Sequence, residues 1–368
     1  MPSPQSGGPS HSPSRLLLVG ALAASALAVS ACGAGGSQQS AVGSGKPSGT
    51  LRIVAETEVL APAMLKPFEQ ANPGVKIESA LVEGSNEAAT KLSAGFSADI
   101  VETCADESNI LLKRGLLQPI DTSRLTHWSE LSPHLRAAEG VVVDGKQMFL
   151  PGQAGPMGMV YNTKDFPGGV DTIKELFNPK LKGKVAFDVG GDDKSMIAMT
   201  AFSLGVKNPF RMSEAELNSV GKYLLAHVDQ FRTFPDSDAN ELNLMKSGEV
   251  ILTDEDPGAV HEMIEAGVPV KWVAPKEGYY SWTCGLALTK SAKNLNAAYA
   301  FLNYYISARA QAVFGDEGYT ILNQDALPDV KASFRHTADP TSLAGATIEQ
   351  APNDPERWYE IYQQVVGE

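Results

Sequence analysis

The chain has 368 residues, 43% of them hydrophobic, enough for two ordinary domains with sizeable cores. Its 30 Lys and Arg stand against 43 Asp and Glu, a formal net charge of −13, so a phosphate backbone or an anionic lipid surface would repel it and no nucleic acid is expected as a partner. Charged residues make up only 20%, and 34 glycines and 23 prolines fit a loop-rich globular protein rather than a coiled coil or a collagen-like fibre.

The first segment does not belong to the fold. Arg15 is the only charged residue in 1–31, and 16–29 is an apolar stretch too short to span a bilayer comfortably but right for the core of a signal peptide. Val29-Ser30-Ala31-Cys32 resembles the bacterial lipobox, in which the thiol is lipidated and the chain is cut just before it. Residues 1–31 are therefore expected to be a lipoprotein signal peptide, with Cys32 the lipidated first residue of the mature protein. Residues 33–49 are Gly, Ser, Ala and Gln apart from Val42, Lys46 and Pro47, a composition that cannot bury much apolar surface, so 32–49 is read as an anchor and flexible tether. Beyond Cys32 only Cys104 and Cys284 remain, a pair compatible with a disulfide in an oxidising compartment but with no zinc-binding spacing.

From Thr50 the pattern changes. Leu51 to Val54 alternates as a strand, Met64, Leu65 and Phe68 recur at helical spacing up to the stop Asn72-Pro73-Gly74, and 75–81, 87–94, 99–102 and 108–114 continue as strand, helix, strand and helix. Such βα repetition argues for a parallel sheet covered by helices. An Asp144-Gly145 turn between the apolar runs of 141–150 predicts a hairpin, and a glycine-rich crossing at 151–158 leads into a strand at 159–162. A second βα series follows, with strands at 184–187, 231–234, 250–253 and 270–274 and helices at 194–204, 241–246 and 259–266. Ser213-x-x-Glu216 is a capping box ahead of the helix carrying Leu217, Val220, Tyr223 and Leu224. The amphipathic run 295–314 is expected to return to the first lobe, and 358–366 to form a closing helix.

Catalytic templates fail. No Gly-x-Ser-x-Gly elbow is present, His261-Glu262 lacks a second zincin histidine, and the histidines of the body are scattered singly. No catalytic residue, metal or cofactor is expected.

A lipoprotein leader, a tether and two βα lobes joined by a glycine-rich crossing resemble the solute-binding component of an ABC importer. Local motifs are similar to the spermidine/putrescine-binding group: Ala98-Asp99-Ile100-Val101, the stretch from Lys113 to Asp121, the crossing ending in Gly158 with Tyr161-Asn162, Pro275-Lys276-Glu277-Gly278 with Trp282, and Glu317-Gly318-Tyr319. The resemblance implies an α/β fold of periplasmic-binding-protein type II, with two hinged lobes and a ligand cleft between them. It places 50–158 plus 284–326 in lobe 1 and 159–283 plus 327–368 in lobe 2. Family positions carried over to the ligand site are Thr57, Glu58, Asp192, Trp282 and Tyr319. Departures at further family positions are Glu56, Cys104, Asp106, Ser195, Asp256 and Cys284, where the family has aromatic, serine, tyrosine or carboxylate residues. The resulting cleft is more acidic and less aromatic than a polyamine box, which favours a shorter or more polar cation. In the family register Cys104 and Cys284 both sit beside the cleft, implying a disulfide there.

The implied protein is a monomer, exported and lipid-anchored to the outer face of the cytoplasmic membrane, that passes a small cationic ligand to an ABC permease. Two other readings stay open: a binder of ferric iron or another small solute on the same fold, which for iron would need clustered tyrosines such as Tyr279-Tyr280, and an exported enzyme.

Overall fold

The computed structural model describes residues 46–138, 140–189 and 194–367, so the leader, Cys32 and Asp192 lie outside the described residues. Among the described residues twelve strands join in one sheet, whose main path runs from Val75–Leu81 through Gly49–Ala55, Ile100–Cys104, Tyr280–Thr289, Leu150–Asn162, Leu252–Glu255 and Val185–Ala186 to Phe231–Thr233. The first three pair in parallel, and so do the last three. Between these two βα halves stand two long antiparallel strands, Leu150–Asn162 and Tyr280–Thr289. No helix among the described residues is long and apolar enough to cross a membrane.

The glycine-rich crossing is itself the link between the halves. Rather than a loop it is the middle of a 13-residue strand, Leu150–Asn162, every residue of which is buried. Its N-terminal part, through Met157, pairs with Tyr280–Thr289, and from Gly158 onward it pairs with Leu252–Glu255 and Val270–Val273. Glycine weakens a strand interior because it brings no side chain to pack. Here the missing side chain is the requirement: a Cβ on Gly152 would collide with the Tyr305 ring, one on Gly155 would lie 2.5 Å from the Trp282 ring, and one on Gly158 2.6 Å from the Trp272 ring.

Local signals translate directly. Val142–Val143 and Lys146–Gln147 form the expected hairpin, with Asp144 at φ 49° and Gly145 at φ 72°, the left-handed pair that a two-residue turn of this hand demands. Ser213 and Glu216 close a full capping box on Glu214–Ala226. The run 295–314 is broken in two, Leu295–Tyr305 and Ala308–Asp316, because Ser307 accepts a hydrogen bond from the Ala310 N–H and starts the second helix.

Each half has its own core. Leu51, Phe68, Val101, Leu286 and Phe301 belong to the first, and Met159, Phe187, Met199 and Leu224 to the second. Residues 327–368, expected wholly in the second lobe, divide between them. Leu343 and Ile348 join the first core, since Thr347–Ile348 pairs with Tyr280–Ser281 at its edge. The helix Pro355–Val366 buries Trp358, Ile361 and Val365 in the second, where Trp358 stacks on Phe210 with ring centroids 6.0 Å apart.

Candidate functional site

A cavity of about 610 Å³ opens where elements of both halves meet. From the first half, the strand Gly49–Ala55 delivers Glu56, Thr57 and Glu58 at its carboxyl end, and Ile100–Cys104 delivers Cys104 and Asp106 in the same way; Glu83, Glu107, Cys284 and Glu349 also line the cavity, and Met157, Tyr280 and Trp282, which pack with the second core, come from the two linking strands. Asp188 and Lys194 come from the second half, after the strand Val185–Ala186 and at the start of the helix Lys194–Ser203. Carboxyl ends of parallel strands are where α/β sheets place their ligands.

The floor is acidic. Glu56 is half-buried, and burial together with the neighbouring Glu58 and Glu107 carboxylates pushes its carboxyl up to about 7. Behind it the buried Glu102 accepts the Glu56 N–H at 2.8 Å and Gln153 Nε2 at 3.1 Å, and burial raises its carboxyl well above the usual range. Glu58 Oε1 accepts from the Tyr319 hydroxyl at 3.3 Å, and desolvation and that anion push the phenol up. Cys104 and Cys284 face each other across the antiparallel pair and are joined as a disulfide at the cleft wall.

Trp282 forms a wall shared with a second cavity of about 170 Å³, where Asp256, Glu317 and Tyr319 also lie. Its ring meets Tyr319 edge-on at 5.8 Å between centroids and stands directly opposite Gly155 in the strand pair. Gly155→Ala is therefore expected to displace the indole, read as a shifted tryptophan emission with an unchanged far-UV circular dichroism spectrum; an unshifted emission would contradict the packing.

Two expected residues have other partners. Ser195 is buried and donates its hydroxyl to Asp254 Oδ2, so it does not line the cleft. Asp256 caps the helix Pro257–Glu265, its Oδ1 accepting from Gly258 N at 2.6 Å and Ala259 N at 3.2 Å, and it touches the smaller cavity only. Asp254, beneath the cleft, accepts the Asp188 N–H at 2.9 Å, and burial raises its carboxyl to about 7.

Sequence reasoning missed Asp188, Lys194 and Glu349. Lys194 Nζ lies 2.8 Å from Asp106 Oδ2 and 2.9 Å from Glu349 Oε1. Glu349 sits in a part of the chain with no strong local pattern. What could have marked it is its place beside Ile348, the end of a strand that adds to Tyr280–Thr289.

A family model described as bacterial extracellular solute-binding protein matches residues 63–341. The chain is 25% identical over 340 residues to spermidine/putrescine-binding periplasmic protein 1 of Haemophilus influenzae, covering 89% of this chain and 91% of that protein. It is 27% identical over 262 residues to the spermidine/putrescine-binding periplasmic protein of Escherichia coli, covering 70% and 72%. In structure it is similar to the PotD substrate-binding protein of Streptococcus pneumoniae, with a TM-score of 0.74 at 18% identity over 86% of this chain and 97% of that one. The TpPotD lipoprotein of Treponema pallidum superposes with a TM-score of 0.73 at 20% identity, over 87% and 100%. These likenesses establish the two-lobed solute-binding fold.

Proposed function

The chain belongs to the bacterial extracellular solute-binding protein family, and from that premise we propose that it captures a small cationic amine of the polyamine class in the cleft and delivers it to the permease of an ABC importer. It is a binding protein and not an enzyme; the permease and a separate ATP-hydrolysing subunit do the work of transport.

One observation carries the ligand class. Among the described residues, seven carboxylate side chains line the larger cavity, those of Glu56, Glu58, Glu83, Asp106, Glu107, Asp188 and Glu349, against the single lysine Lys194. An ammonium entering a closed cleft loses its water, a cost met when carboxylates replace the hydration shell. The indole of Trp282 offers a face to the methylene stem and to the cation. Ligand binding shifts the two halves toward closure by its differential affinity for the closed state.

The tyrosine pair of the iron reading is split, with Tyr280 but not Tyr279 lining the cleft. The Tyr279 hydroxyl donates to the carbonyls of Ser342 at 3.0 Å and Ala344 at 2.7 Å, and among the described residues no group of three or more His, Cys, Asp or Glu is placed to hold a metal ion. We assign the protein, as a monomer, to the outer face of the cytoplasmic membrane, tethered through a lipid on Cys32, a residue outside those described.

Calorimetric titration of the protein with putrescine and with spermidine tests the ligand class. Saturable binding of at least one is expected. Silence with both, while a neutral or anionic solute binds, would remove the assignment.

A further inference from the structure

Among the described residues, Lys194 is the single basic side chain lining the cleft, and it reaches across it. It opens the helix Lys194–Ser203, whose other nine residues are all buried on the second half, so its backbone is fixed to that side. Its two carboxylate partners belong to the first half. Asp106 follows the strand Ile100–Cys104, and Glu349 follows Ile348, a residue of the first core. The side chains of Asp106 and Glu349 are only 7% and 6% exposed. Two carboxylates so shielded from water are compensated by a cation placed beside them. The protein provides one as a primary ammonium on a four-carbon stem, the same chemistry that a polyamine would bring.

The geometry points to Lys194 as a specificity-determining residue: its ammonium fills, from the protein side, a subsite at Asp106 and Glu349 that would otherwise hold an ammonium of the ligand. This rests on the amine reading of the cleft. What remains for the ligand beside Trp282 is the Glu56 and Glu58 floor together with the carboxylates of Glu83, Glu107 and Asp188. A longer amine that extends to Asp106 and Glu349 must displace Lys194 to pair with them. Short amines are thereby favoured over long ones, and the bridge is kept when a short amine binds.

The test is calorimetric titration of the full protein and of Lys194→Met with putrescine and spermidine, read as the ratio of the two affinities. Removing the built-in ammonium is expected to raise the spermidine-to-putrescine ratio by about ten-fold or more, since one charge-assisted contact is handed to the longer ligand. Lys194→Arg, which keeps the subsite filled, is expected to retain the wild-type ratio. Should Lys194→Met not fold, Lys194→Gln carries the same comparison. A wild-type protein that binds amines while Lys194→Met leaves the ratio within two-fold, or weakens both ligands equally, overturns the role of Lys194 alone. Failure of every form to bind any amine overturns the amine reading and this assignment with it. Spermidine binding by Lys194→Met but not by the wild type supports the assignment.

Discussion

Neutralising both acids of the first loop, Glu56→Gln together with Glu58→Gln, is expected to abolish measurable amine binding while leaving the empty protein as stable as before or more so. A hydrogen bond to a charged group contributes about 1.5–3 kcal/mol, so losing two removes most of the affinity of a micromolar ligand. The empty protein does not suffer, because Glu56 is held against burial and against the Glu58 and Glu107 carboxylates. Loss of binding in calorimetry with an unchanged or raised melting temperature is the expected pair of results. Retained affinity would place the ammonium elsewhere.

The same carboxyl sets a pH dependence. The Glu56 carboxyl, raised to about 7 in the folded protein from an ordinary value of 4.5, is largely protonated in mild acid. An ammonium ligand prefers the ionised form, so binding near pH 7 expels a proton and affinity rises with pH through the folded value. The affinity at pH 6 is expected to be about ten-fold below that at pH 8, and Glu56→Gln flattens the profile. In the empty protein the sign is reversed. Groups raised on folding, Glu56 and Asp254, contribute stability that is fully present below their unfolded values and is lost as pH climbs through about 7. A flat affinity profile in the wild type would show that Glu56 does not meet the ligand's charge.

The second large effect is on stability. Cys104 and Cys284 are bonded across 180 positions of chain, and a cross-link closing so long a loop removes much of the unfolded chain's freedom. Cys104→Ser with Cys284→Ser is expected to cost about 2–5 kcal/mol and to lower the melting temperature by roughly 3–7 °C. The strands around it remain paired through Thr103 with Gly285 and Glu102 with Leu286, so the cleft keeps its outline and ligand still protects against melting. Reduction of the wild type is expected to reproduce the shift, and reduction of the double variant to add nothing. An unchanged melting temperature would show that the bond does not form in solution.

The first-half residues of the proposed site were named through the family resemblance, and the local strand pattern agrees with where they lie. Glu56, Thr57, Glu58, Cys104 and Asp106 follow strands whose apolar patterns are plain, and the end of a parallel strand is a ligand position whatever the rest of the chain does. Asp256 and Ser195 are a different case. Both are close in sequence to cleft elements, but their polar atoms serve the fold, one as the cap of Pro257–Glu265 and the other on Asp254. Which partner a side chain meets is decided by elements far along the chain, and nothing in the neighbouring sequence reports it.

By itself the sequence determined the alternation of strand and helix, the two halves, the hairpin at Asp144-Gly145 and the cap at Ser213, all consequences of side-chain periodicity and of backbone preferences that act within a few residues. Only the tertiary structure decided that the glycines of Leu150–Asn162 are strand rather than loop, because the reason for them lies in the rings of Tyr305, Trp282 and Trp272, brought in from other elements. It alone also brought Lys194 to Asp106 and Glu349. A charge in a sequence has no partner until packing has excluded the water that would otherwise screen it, and that exclusion is a property of the assembled halves.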